Sequence, residues 1–366
     1  MTAAKLDCTD TEWLDAGLLH APFCTMARRY PGRPALVCRD RFMTYGELRE
    51  RIVRSRTHLH QAGVRQGDRV AVVLPTSPDA VITLYAVLSL GAAYVPVDPC
   101  WPLPLQRELL GRLQPRALVA DGCERLHLAC LPSRVTAAQL ARPACGEEEV
   151  PRVAAAPELS ACVLWARGSA GALQGVQVSH RAARHVVDRA CDELALGCGD
   201  RVAGLSSFCH GASLFELFAP LASGATLYLY DASNAAPAAP LARFLACQGI
   251  TVLRAAPTML ALLVAGGRLD TQDLSRLRTV VLAGGRWPAG GFERLRALLP
   301  GHVTYHELCR PGETAPPCLP SDGPLPGSPM ATLPVRRSNA AAVERWDGLP
   351  RLMEDGECGP PDGAPL

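Results

Sequence analysis

Among the 366 residues no CxxC pair occurs, no block of like charge accumulates, and no unbroken apolar run is long enough to span a membrane. Each absence excludes something. The fifteen cysteines stand singly, at Cys8, Cys24, Cys38, Cys100, Cys123 and onward, in a chain far larger than a disulfide-stapled secreted domain. Reduced, mostly buried thiols are therefore expected. Basic and acidic residues number 37 and 35, a formal charge of +2, so no field exists to recruit nucleic acid or an acidic membrane. The first residues, MTAAKLDCTDTEW, contain acids and no apolar centre, unlike a secretory leader. A cytoplasmic location is the expectation. The longest apolar stretch, Ala80 to Val97, is interrupted by Gly91 and Pro96, which predicts a buried helix running into a strand.

What is present suits a large globular core. Hydrophobic residues make up 48% and charged residues 20%, outside the range of disordered chains. An amphipathic stretch opens at Met43 and runs through His60. RVAVVLP (Arg69 to Pro75) reads as a buried strand, Pro78 to Leu90 as a helix, and AAYVPVDP as the next strand. LVAD, CVLW, RVAGLSSF, TLYLY, TVLRAAP and TVVLAGG continue the series, with helical patterns between them. Short apolar strands alternating with helices predict an α/β fold of parallel-rich sheets flanked by helices. From Ala315 onward proline and glycine become dense, and an extended or poorly ordered tail is expected. No internal repeat of solenoid period is visible.

The segment WARGSAGALQGVQVSH, Trp165 to His180, carries the first chemical signal. It follows the strand CVLW, and the reading places Gly168, Gly171 and Gly175 in a loop ahead of a helix. Glycines let backbone N–H groups approach phosphate oxygens, and the Ser169 hydroxyl adds a bond. A strand–turn–helix junction also needs glycine for its own geometry, so spacing alone leaves both readings open.

This segment resembles the phosphate loop of adenylation domains in the adenylate-forming superfamily, YTSGSTGKPKGVMVSH. LSLGAAYVPVDPCWP (Leu88 to Pro102) resembles that family's LKAGAAYVPIDPxYP, and FMTYGEL its LTYxEL. GASLFELFAPLASGATLYL (Gly211 to Leu229) resembles DASVFEIFGPLLSGATLVL. TVLRAAPTMLALL, LAGGRW and ELCRPGET follow in the family's order, and the similarity runs from Phe23 to Gly359. The resemblance implies the large N-terminal domain of an adenylate-forming enzyme, most like those of nonribosomal peptide synthetases. It divides the chain into an N-terminal extension (1–22), a large domain (23–314) and a tail (315–366). It also implies ATP and Mg²⁺ as cofactors of an active form. A carrier protein, a condensation domain or a C-terminal domain supplied in trans are the implied partners.

The same comparison assigns residues and exposes departures. Gly168, Ser169, Gly171, Gly175, Pro311 and Glu313 match nucleotide-binding positions, and Glu313 the metal ligand. An exposed loop glutamate is an equal reading of Glu313. The family's Lys-Pro-Lys is Ala172-Leu173-Gln174 here, and the TSGST hydroxyls shrink to Ser169. Arg167 is the only cation left in the loop. The aromatic that stacks on adenine is Cys309, and the threonine that meets the AMP phosphate is Gly312. In the acyl pocket the match covers His210, Gly211, Ala212, Phe215 and Gly284. Gly211 stands where an aspartate pairs with a substrate α-ammonium, so an acid without an α-amine is expected. No counterpart of the family's ribose-binding aspartate, hinge or C-terminal lysine is found, so the resemblance implies a large domain without its small C-terminal domain. Two readings follow. One is an impaired homologue acting as a binding or scaffold partner in nonribosomal peptide or related secondary metabolism. The other is half of an acid ligase completed in trans.

Overall fold

The short apolar runs become strands, and the amphipathic runs between them become helices. The structure, a computed structural model, describes residues 17–121, 133–143, 150, 156–167, 173–230, 238–283, 290–308, 331–332 and 343–345. Its helices are α1 (Ala21–Arg29), α2 (Tyr45–Gln61), α3 (Pro78–Ser89), α4 (Leu103–Leu113), α5 (Ala137–Leu140), α6 (His180–Glu193), α7 (Ala219–Ser223), α8 (Ala238–Cys247), α9 (Pro257–Gly266) and α10 (Gly291–Leu298). A π-helical turn, Leu214–Phe218, leads directly into α7.

The strands form two sheets. The larger has the order β14 (Ala331–Thr332), β13 (Thr304–Leu308), β12 (Thr279–Ala283), β11 (Val252–Ala255), β9 (Arg201–Gly204), β10 (Thr226–Leu229), β1 (Pro34–Cys38) and β2 (Arg41–Thr44). The smaller has the order β15 (Val343–Arg345), β8 (Leu173–Ser179), β7 (Ser160–Arg167), β4 (Ala93–Pro96), β3 (Arg69–Val73), β5 (Ala117–Ala120) and β6 (Arg134–Val135). Pairing is parallel except at β1–β2, β7–β8 and β8–β15.

Alternation along the strands sorts side chains into layers. In β3, Val70 and Val72 join a core with α1, α2, α3, α6 and α7 that also receives Leu227, Val252 and Val281 from the larger sheet. Ala71 and Val73 face the other way, toward Leu110 of α4. In the larger sheet Leu253, Val280 and Leu282 face α8, α9 and α10. The five layers are thus helix, sheet, helix, sheet, helix. Both sheets are covered on both faces, which is why their strands read as continuous apolar runs.

Leu18, Leu19 and His20 are buried and α1 begins at Ala21. Within the tail, β14 pairs with β13 and β15 with β8, so strands of the tail complete both sheet edges. The unpaired backbone groups of an edge strand account for this, because they accept whatever extended segment lies beside them. The described cysteines are all free thiols, but only Cys24, Cys162 and Cys209 are buried, while Cys100 and Cys247 are exposed. No helix among the described residues is long and apolar enough to cross a membrane.

Candidate functional site

In open α/β sheets ligands bind outside the carboxyl ends of the strands, where the chain switches direction across the sheet. In the larger sheet β9 is that point, because β10 is laid on one side of it and β11 on the other. The segment leaving β9, Leu205 to Ser213, meets the carboxyl ends of β4 and β7 from the smaller sheet. Ser207 Oγ donates to Asp98 Oδ2 at 3.4 Å, and Trp165 N donates to Cys209 O at 2.8 Å. The Trp165 carbonyl can only accept, so His210 Nδ1 carries the proton in their 3.2 Å bond. Ser213 Oγ closes the turn by donating to His210 O at 2.7 Å and to Phe208 O at 3.2 Å.

Three of the residues expected on the acyl side, His210, Gly211 and Ala212, share this turn. His210 is exposed, Gly211 and Ala212 are half-buried, and none of the three presents a carboxylate. Phe215 is 3% exposed and packs into the central core. The π turn draws its ring inward with Leu214 and Phe218. Gly284 lies outside the described residues.

On the phosphate side, the hairpin of β7 and β8 frames residues 168–172. Gly168, Ser169 and Gly171 lie outside the described residues, as do Pro311 and Glu313. Gly175 does not lie in the loop, as expected from sequence, but within β8, paired with Trp165. The reading missed a second strand between loop and helix because glycine there weakens the strand signal. Trp165, ahead of that loop, is 2% exposed, with its indole Nε1 donating to Pro96 O at 2.6 Å.

Two residues escaped the sequence reading. Glu216, in the π turn, accepts from Leu205 N, Ser206 N and Ser206 Oγ, each at 2.7 Å, and pairs with Arg254 of β11 at 3.2 Å. Their signal was a lone charge of opposite sign in each of two apolar runs, FELF and TVLRAAP. Among the described residues no cluster of three His, Cys, Asp or Glu could hold a metal ion. The loop that would receive a triphosphate offers one hydroxyl and no cation between Arg167 and Leu173, a poor fit to that ligand.

Comparison with known proteins agrees with this architecture. Pyochelin synthetase of Pseudomonas aeruginosa is 35% identical over 271 residues, covering 74% of this chain and 18% of the synthetase. An L-proline–[L-prolyl-carrier protein] ligase of Streptomyces coelicolor is 32% identical over 307 residues, covering 78% of this chain and 58% of the ligase. The chain thus spans well under two thirds of either relative. Among solved structures, a nonribosomal peptide synthetase, FmoA3, superposes with a TM-score of 0.70 at 28% identity, covering 79% of this chain and 30% of that one. The NpsA N-terminal subdomain of Klebsiella oxytoca, solved with 3-hydroxybenzoyl-AMSN, gives 0.72 at 21% identity over 83% of this chain and 73% of its own, a likeness of fold. The family model for AMP-binding enzymes matches residues 23–357. With its two covered sheets and its motifs in family order, this chain belongs to the AMP-binding enzymes, in the adenylate-forming superfamily, and is similar to nonribosomal peptide synthetases over part of their length.

Proposed function

We propose that this chain is an adenylation-type unit with a weakened nucleotide side, serving as a binding partner in nonribosomal peptide or related assembly. One observation carries the reading. The loop holds a single hydroxyl, Ser169, and Arg167 as its only cation, with Ala172 and Gln174 where the family has lysines. Charge-assisted bonds to phosphate are about twice as strong as neutral ones, so such a loop grips a triphosphate poorly. Lys5 is the chain's one lysine, and neither position of the family's Lys-Pro-Lys carries an ammonium here. Calorimetry with Mg-ATP is expected to give no saturable heat below millimolar concentration. A dissociation constant in the low micromolar range would overturn the reading.

The ordered turn at His210 favours a second reading, an acid-activating half completed in trans by a C-terminal domain. Because Gly211 supplies no partner for an ammonium, a buried α-amine would lie uncompensated. Pyrophosphate exchange, with a C-terminal domain added, is expected to show no turnover of α-amino acids. Turnover of hydroxy, keto or aryl acids supports this second reading, and clear turnover of any α-amino acid refutes the assignment of the pocket.

A further inference from the structure

Glu216 and Arg254 are 38 residues apart in sequence, both buried, and each is the charged residue of an otherwise apolar run. A buried carboxylate keeps its charge only when its lone pairs are filled, and here three donors from Leu205 and Ser206 join the guanidinium. Such a pair is weak evidence for stability, since well-packed apolar side chains often serve as well. Its location is more informative. Glu216 sits in a single π turn, a feature that concentrates at functional sites. Its carboxylate pins the first two residues of the segment that crosses between the sheets. Asp98 and Trp165 hold the rest of that segment from the opposite sheet.

We propose that Glu216 and Arg254 are positioning residues. They fix Leu205 to His210 so that Cys209 and His210 stand against Trp165, on the strand that leads into residues 168–172. The role rests on the acyl-site reading of this turn, yet the clamp itself is measurable without turnover. Neither residue needs to touch a ligand. The pair acts by denying the turn alternative conformations, and a displacement of about 1 Å at such a site can cost a hundredfold in rate.

The test uses the full chain with labelled histidine and three variants, Glu216→Gln, Arg254→Met and the conservative Arg254→Lys. In folded Glu216→Gln, amide exchange at Leu205 and Ser206 is expected to rise about tenfold or more, as for a lost charged hydrogen bond, with β3 unchanged. The His210 Nδ1 resonance is expected to move toward that of a solvated imidazole. Arg254→Met gives the same pattern, and Arg254→Lys restores most of the wild-type signal. Where a C-terminal domain supports turnover of an aryl acid, the KM for that acid rises while kcat changes less. An unshifted His210 resonance, or faster exchange spread evenly over the fold, overturns the proposal. Absence of turnover in the wild-type chain refutes the ligase reading alone, because the resonance and exchange data still decide the clamp.

Discussion

His180 ends the hairpin strand β8 and starts α6, and its ring is buried. Its Nδ1 accepts from Leu19 N at 3.2 Å, so it must be the neutral imidazole protonated on Nε2. His20 packs its ring on His180 at 6.2 Å between centroids. Burial pushes His180 down to about 4. Burial, then the neighbouring His180 and Arg56, push His20 down to about 3. In the unfolded chain both titrate near 6.5, so below that pH the unfolded state binds more protons than the folded one. Stability is therefore complete above pH 6.5 and falls as pH drops toward 4. Unfolding free energies from urea titrations at pH 7 and 4.5 are expected to differ by roughly 2–3 kcal/mol per histidine. His20→Phe should flatten this slope, and an unaltered slope would show that these rings do not govern it.

At the scale of elements, α3 shows how far burial overrides amphipathicity. Every residue from Ala80 to Ser89 is buried, because the helix lies in the layer between the two sheets. A helix apolar all round belongs in a core. Its start is fixed by Ser77, whose side chain accepts from Ala80 N at 3.2 Å, with Pro78 at the first helical position. Leu84→Ala should cost about 3 kcal/mol, and Ser77→Ala about 1 kcal/mol, by chemical denaturation. Leu262→Ala, on the exposed side of α9, should lie within about 0.5 kcal/mol of wild type. Equal losses at Leu84 and Leu262 would contradict the layer assignment. Helices and strands of this kind were legible from period and punctuation alone. The β7–β8 hairpin was not, because Gly175 sits in β8 opposite Trp165 and reads as loop when its partner strand is unknown.

At the scale of the whole molecule, the tail supplies the outermost strand at one end of each sheet, β14 on β13 and β15 on β8. Removing residues beyond 315 would make the longer strands β13 and β8 the edges, a larger template for association between copies. The full chain is expected to elute as a monomer in size-exclusion with light scattering, and a chain ending near Ala315 as a mixture of larger species. Two clean monomers would show that the tail is dispensable for edge protection.

The sequence by itself determined the α/β class, the order of most strands and helices, the scarcity of hydroxyls and charges in residues 168–172, and the lack of a carboxylate at Gly211. Those properties are local, carried by the period of the apolar residues and by residue type. Only the tertiary structure decided that Trp165 is buried, that Phe215 belongs to the core, and that Leu18 to His20 are packed. It alone brought Glu216 to Arg254 and both sheets to the Leu205–Ser213 segment. Those outcomes depend on which strands lie side by side and on which face of each strand is covered. Contacts between residues 38 or more apart in sequence leave no periodic trace, and a lone charge in an apolar run gains a role only when its partner is seen.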